Sequence, residues 1–275
     1  YTPESMWALF ALWLIAAAYP LKVWWNEIGK FHISGYREEC FQYPMSIGYG
    51  LLGGLVILSI LSGLAPPSDY DGLNYHLALP KRDLEAGRVI PGIPGFLFES
   101  FPALLEMLYR FGLASLGEGA AQIIHGLFGI ASAVATYCLA YRLWYQKTAA
   151  ILAAIMLLAT RLIVWEVGTT HNELGMTAYF VLALIVYMQW RKRGGIGLML
   201  LFGILVGGIC NVKYQGLVLA IGFAPLFLYD WLIIGRRIRE VFYGSAIALC
   251  IFMPHALKNY IFYGNPISPL LDSFF

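Results

Sequence analysis

Apolar positions run almost without interruption over 6–24, 45–65, 119–143, 147–168, 174–190, 195–212, 215–234 and 240–258. Most of these runs hold roughly 17 to 22 residues, the length a helix needs to cross the hydrocarbon of a bilayer. Soluble core helices would keep a polar stripe at helical spacing, and FALWLIAAAY and LFGILVGGI have none. The pattern predicts an all-α, polytopic transmembrane helical bundle of about eight spans. The first run, MWALFALWLIAAAY, lacks a basic leader and a small-residue cleavage site, so it reads as a spanning helix rather than a signal peptide.

The rhythm breaks at 66–118, a stretch too long and too patterned for a plain connector. Ser68 is placed to N-cap a short helix with Leu73, Leu77 and Leu84 on one face and Lys81, Arg82 and Glu85 on another. RVIPGIPGFLF is a Pro/Gly-broken loop. Ser100 is then placed to cap FPALLEMLYRFGLASLG, with Pro102 tolerated in the first turn and Leu104, Leu108 and Phe111 on one face. Glu106 and Arg110 stand at the i,i+4 spacing of an ion pair. Two amphipathic helices at the membrane surface, framing a cavity open to lipid and water, are expected here.

Composition agrees with this picture. Hydrophobic residues make up 60% of the 275 and charged residues only 12%, with a mean hydropathy of +0.69. The net charge of +2 says nothing about nucleic acid, and the chain has no basic tract or stacking platform of the kind such a partner needs. Cys138, Cys210 and Cys250 lie in apolar runs and Cys40 in a loop, with no CxxC spacing to suggest a disulfide framework or a cysteine zinc site. The chain begins at Tyr1 rather than Met and stops soon after GNPISPLL, as expected of a segment of a longer protein. The whole of 1–275 reads as a single domain, with 66–118 as its large outer loop.

Charge also orients the runs. Arg142 with Lys147, then Arg191, Lys192 and Arg193, then Arg236, Arg237 and Arg239 mark turns that fall on one side if the spans alternate. The positive-inside rule makes that side cytoplasmic. The loop at 25–44 falls there too, with Lys30 and Arg37 against Glu27, Glu38 and Glu39. The other side receives 66–118, TTHNE, NVKY and the tail KNYIFYGNPISPLL. With them come Asp69, Asp71, His76, His171, Asn172, Glu173, Lys213, Lys258 and Asn259. Nearly every unusual polar residue thus gathers on the non-cytoplasmic face, as one polar site would require.

Each group carries a structural reading beside a chemical one. Ser68-x-x-Asp71 satisfies a capping box, yet two aspartates with Tyr75 and His76 one turn later exceed what a cap needs. A carboxylate in a partly dry site there suits a general base. His171, Asn172 and Glu173 make an ordinary polar turn, or, with residues 69–76, ligands for a divalent cation: zinc with histidine, magnesium or manganese with carboxylate and water. Lys213 ends an apolar run either as a snorkelling cation or as one aimed at a phosphate, and Lys258 and Asn259 share that ambiguity. His255, beside Pro254, suits a local hydrogen bond. Trp7, Trp13, Trp24, Trp25 and Trp231 suit an interfacial belt.

Taken in order, PPSDYDGLNYHLALP, FPALLEMLYRFGL, HGLFGIASAVATYCLAYRL, GTTHNELGMTAYFVLALIVY, GILVGGICNVKYQGLVLA and the KN-x-x-x-x-GNP-x-x-P stretch resemble the bacterial GT-C glycosyltransferases of the family 39 kind. That group is similar to the protein O-mannosyltransferases and the lipid A aminoarabinose transferases. The resemblance covers the chain from about residue 48 onward. It implies inverting transfer of a sugar from a polyprenyl-phosphate donor to an acceptor hydroxyl on a glycan, lipid or protein, in the plasma (inner) membrane with the active side periplasmic or extracellular. The family's catalytic aspartate lies four residues before an aromatic, which selects Asp71, four before Tyr75, as the base. Relatives often carry an acidic residue directly after that aspartate; Gly72 stands there in this chain, and Asp69 is the substitute. Glu173 occupies the acidic place of the second outer turn. Tyr75, His76, Lys213, Tyr214, Lys258 and Asn259 are the expected substrate-binding set. No metal is implied by the family, so His171 and Glu173 remain a candidate site for magnesium, manganese or zinc. A transporter or flippase of lipid-linked sugars is the alternative, although its polar site would be expected near the bilayer midplane on broken helices. A scaffold whose outer loop binds a partner is a third reading.

Overall fold

In the computed structural model, residues 42–90, 92, 96–233, 235 and 238–274 are described. The run 6–24, Trp7, Trp13, Trp24, Trp25, Cys40, most of the loop at 25–44, parts of RVIPGIPGFLF, Arg236 and Arg237 lie outside those residues.

The described chain is helical: α1 (Gln42–Ser62), α2 (Ala78–Glu85), α3 (Leu104–Leu116), α4 (Glu118–Trp144), α5 (Lys147–Ala159), α6 (Arg161–Glu166), α7 (Glu173–Arg193), α8 (Ile196–Val212), α9 (Gln215–Gly222), α10 (Ala224–Leu232) and α11 (Ile238–Tyr263). A single π turn, Gly72–His76, precedes α2, and a 3-10 turn, Leu97–Ser100, precedes α3. Among the described residues, Met45–Ser62, Glu118–Trp144, Glu173–Arg193, Gln215–Leu232 and Ile238–Tyr263 are long and apolar enough to cross a membrane. The chain is a multi-pass membrane protein.

Two of the apolar runs are broken. The run 147–168 stops at Thr160, whose extended backbone (ψ 127°) interrupts the hydrogen-bond ladder before α6 resumes. The run 215–234 turns at Phe223, between α9 and α10. Their hydropathy is continuous while their backbone is not, because apolar side chains alone do not record a break in the ladder.

The bundle is held by α11 lying along α8, α7 on both α8 and α4, α5 on α4 and α1, and α3 on α4. The α8–α11 contact is close enough that a Cβ on Gly203 would sit 2.2 Å from the Gly244 carbonyl oxygen. Small residues allow such backbone approach where helices meet without a hydrophobic driving force. Asn211 adds a polar clasp, its Nδ2 donating to the Ile251 carbonyl at 2.8 Å. Trp190, Met199, Phe202, Ile209 and Phe223 fill the core between α7, α8 and α9–α10. A second cluster, Leu77, Leu105, Tyr109, Ala121 and Val212, joins α2, α3, α4 and α8 directly beneath the polar end. Large residues such as Ile57, Leu58, Met156, Val218 and Leu249 face outward, as a lipid-covered surface requires.

The local structure of 66–118 departs from the expected caps. Ser68 does not cap a helix: the π turn begins after Asp71, which makes no side-chain cap, and Asp69 instead accepts the Gly72 N–H at 2.5 Å. Ser100 ends the 3-10 turn with its hydroxyl on the Leu97 carbonyl, and α3 starts after Ala103 without a side-chain cap. Leu73 is half exposed, whereas Leu77 is buried. Glu106 and Arg110 do not pair with each other, because more distant partners, described next, claim both.

Candidate active site

The π turn and the 167–172 turn meet at one carboxylate. Asp69 Oδ2 holds the Gly72 N–H and, at 2.8 Å, His171 Nε2. The other ring nitrogen of His171 faces Glu166 Oε1 at 3.3 Å. Burial opposes a charge on His171, but Glu166 and Asp69 outweigh it and raise its pKa above the ordinary histidine value. Gly72 is required by this arrangement: a Cβ there would meet Asp69 Oδ2 at 2.5 Å and Thr170 Oγ1 at 2.8 Å. The space an acidic side chain would take after Asp71 is occupied by the Asp69 carboxylate.

Asp71 stands outside that knot, at the head of the turn. Burial, and then the nearby Asp71 carboxylate, hold the Tyr75 hydroxyl well above the ordinary tyrosine range. Tyr75 stacks on Phe98, with centroids 4.3 Å apart.

The next layer joins three elements through Glu106. Its Oε1 bonds His76 Nδ1 at 2.6 Å and accepts from Asn172 Nδ2 at 2.9 Å. Asn172 also reaches the Val212 carbonyl at 3.3 Å, and its N–H donates to Glu173 Oε2 at 3.0 Å. Lys213 pairs with Glu173 Oε1 at 2.5 Å. Tyr109, fully buried, donates to the His171 carbonyl.

The outer wall is ionic. Arg82 pairs with Glu99 and Arg110 with Asp83, and the Ile90 N–H donates to Asp83 Oδ1 at 3.4 Å. Lys258 donates to the Glu99 backbone carbonyl at 2.9 Å. These residues, with Tyr75, Phe98, Phe101 and Lys213, line a cavity of about 70 Å³, room for several waters. Arg82 Nε, Glu99 Oε2, Glu106 Oε2, Arg110 Nε and Asn172 Oδ1 are buried around it without a hydrogen-bond partner. Native interiors leave few such atoms, so this many around one cavity call for water or a polar ligand within it.

Of the residues singled out from the sequence, Asp69, Asp71, Tyr75, His76, His171, Glu173, Lys213 and Lys258 converge on this end of the bundle. Tyr214 and Asn259 are there as well, donating chiefly to the backbone, with Asn259 Oδ1 left without a partner. The Tyr214 hydroxyl donates to the Ser268 carbonyl at 2.7 Å, and Asn259 Nδ2 to the Ser100 carbonyl at 2.7 Å. They knit the 3-10 turn to the C-terminal segment. Glu166, Asp83, Glu99, Glu106, Arg82 and Arg110 complete the site without having been singled out for it. The signal available for them was the rarity of charge in this chain, not any spacing. Glu166, His171 and Glu173 offer donor atoms within 4.8 Å of one another, a grouping able to hold a metal ion.

Residues 104–257 match the family described as dolichyl-phosphate-mannose-protein mannosyltransferase. The chain belongs to that family. Members of this mannosyltransferase family are membrane glycosyltransferases that depend on a lipid-linked sugar. The match begins at Leu104, after Asp69 and Asp71. Partial similarity also links the chain to the glycerol-3-phosphate acyltransferases of Burkholderia. That of Burkholderia ambifaria is 31% identical over 105 residues, 38% of this chain and 47% of its own length. That of Burkholderia lata is 32% identical over 125 residues, 46% and 54% respectively. The chain spans about half the length of the curated relatives it matches. No solved structure matches.

Proposed function

We propose that the chain moves a sugar from a polyprenyl-phosphate donor to an acceptor hydroxyl on the non-cytoplasmic face of the membrane, with inversion and with Asp71 as general base. The observation that carries this reading is the cavity beside the Asp71–Tyr75 pair, ringed by buried polar atoms that lack partners. Asp69 is committed to Gly72 and His171, whereas Asp71 is engaged by the Tyr75 hydroxyl and is the carboxylate assigned to the incoming hydroxyl.

In this reaction Asp71 takes the acceptor's proton while the hydroxyl oxygen forms a bond to the anomeric carbon. The bond from that carbon to the phosphate oxygen breaks, and the polyprenyl phosphate leaves with the electron pair. Charge developing on that oxygen calls for a preorganised cation. Lys258 is the better placed lysine, because its contact is a neutral carbonyl, whereas Lys213 is already paired with Glu173. The orphaned oxygens of Glu99, Glu106 and Asn172 suit sugar or acceptor hydroxyls, and Phe98 and Tyr75 supply an apolar face for a sugar ring.

A transporter of lipid-linked sugars is the competing reading, and the gathering of polar groups at one end of the helices argues against it. Proteoliposomes holding the protein, a polyprenyl-phosphate sugar and acceptor lipids distinguish the two. The proposal expects a new glycoside, detected by mass spectrometry, together with free polyprenyl phosphate. Movement of the donor across the bilayer with no glycoside formed would overturn it.

A further inference from the structure

We propose that Glu166, His171 and Glu173 form a zinc site, with Asp69 holding the histidine from behind. Zinc accepts one imidazole nitrogen and carboxylate oxygens at about 2.0–2.2 Å, and two such donors on a tetrahedral ion lie about 3.4 Å apart. His171 Nδ1 and Glu166 Oε1 are 3.3 Å apart, long for a charge-assisted hydrogen bond and close to that ligand spacing. The donor atom of Glu173 lies within 4.8 Å of both.

Three further observations point the same way. Glu166 is only 3% exposed, and its Oε2 has no hydrogen-bond partner, a cost that a cation would remove. His171 has its second nitrogen, Nε2, on Asp69 Oδ2 at 2.8 Å, and Asp69 is itself fixed by the Gly72 N–H. A metal-ligating histidine ordinarily gives its other N–H to a carboxylate, which sets the tautomer and the ring angle. With Nδ1 as ligand and Nε2–H on Asp69, the ring already has that arrangement. Glu173 keeps Lys213 on Oε1 and the Asn172 N–H on Oε2. Those contacts leave each oxygen a further lone pair for the ion. The three ligands come from the end of α6, the following turn and the first residue of α7. An ion there ties that corner to the π turn through Asp69.

This inference stands on these side chains and does not rest on the glycosyl-transfer reading; its test measures binding alone. The full chain, purified in detergent and stripped with chelator, is titrated with zinc chloride against a chromogenic competitor. Zinc content is read in parallel by mass spectrometry. One zinc per chain is expected, undisturbed by a large excess of magnesium. Glu166→Gln and His171→Gln should each weaken binding at least tenfold, and Asp69→Asn by roughly 10- to 100-fold. Asp230→Asn, at the opposite end of the bundle, should leave it unchanged. Glu173→Gln, at a less buried ligand, decides the matter if a substitution at Glu166 or His171 prevents folding. Absence of stoichiometric zinc in the wild type, or binding that survives every ligand substitution that folds, overturns the proposal.

Discussion

At one end of the bundle Asp230, wholly buried, has the Tyr187 hydroxyl on one oxygen at 2.6 Å and Arg191 on the other at 2.8 Å. Nearby, Glu240 Oε2 takes both the Trp190 indole N–H at 2.6 Å and the Gly195 N–H at 3.1 Å. At the other end Glu99, Glu106, Glu166 and Arg110 are also buried, and each of them, like the partly exposed Arg82, has one polar atom left over. Among the described residues, every buried side-chain atom without a partner belongs to this second end, apart from the Tyr141 hydroxyl. Both ends hold charge in a molecule that can ill accommodate it. The first closes its polar groups upon one another and thereby joins α7, α10 and α11. The second leaves a shell of donors and acceptors that only a further molecule or ion can complete. Unsatisfied burial lowers stability, so its concentration at one end separates the working part of the molecule from its framework.

That contrast can be broken by mutation. The largest loss of stability is expected from Asp83→Ala, which strands the buried Arg110 guanidinium and should cost about 3–5 kcal/mol, seen as a lowered thermal midpoint in detergent. Lys258→Met should weaken the donor complex by roughly 10- to 100-fold, equivalent to about 1.5–3 kcal/mol for a charged hydrogen bond, measured as a rise in KM for the lipid-linked sugar. Gly72→Ala pushes a methyl group against Asp69 and Thr170; a cost of about 1–3 kcal/mol and a fall in kcat are expected, since the π turn that carries Asp71 must shift. Glu240→Gln is the mildest case. Its amide oxygen still accepts from Trp190 and Gly195, so stability should change by under about 1 kcal/mol and activity should not change.

The two ends were not equally legible from sequence. Spanning helices such as Glu118–Trp144 and Ile238–Tyr263 follow directly from hydropathy and length. The breaks at Thr160 and Phe223 do not, because the side chains around them remain apolar. Topology alone placed Asp69, His171, Lys213 and Lys258 on one face, and their contacts join the segments that carry them. Local spacing misled where distant partners were stronger. Glu106 and Arg110, one turn apart, point to His76 and Asp83, 30 and 27 residues away. The Ser68 and Ser100 caps failed for a related reason: Asp69 took the free N–H of the turn, and Ser100 took the Leu97 carbonyl. The glycine after Asp71, at odds with the resembled family, has its cause in three dimensions, where Asp69 fills the space.

The most direct test of the division between the two ends is a matched pair of isosteric substitutions, Asp71→Asn and Asp230→Asn. Each purified protein is assayed for sugar transfer from a polyprenyl-phosphate donor and for its thermal midpoint. The account predicts that Asp71→Asn loses about 10²- to 10⁴-fold in kcat, the usual contribution of a general base, and keeps its midpoint. Asp230→Asn should lower the midpoint by several degrees and keep kcat. Transfer at the original rate by Asp71→Asn, or loss of transfer by a stably folded Asp230→Asn, would contradict it.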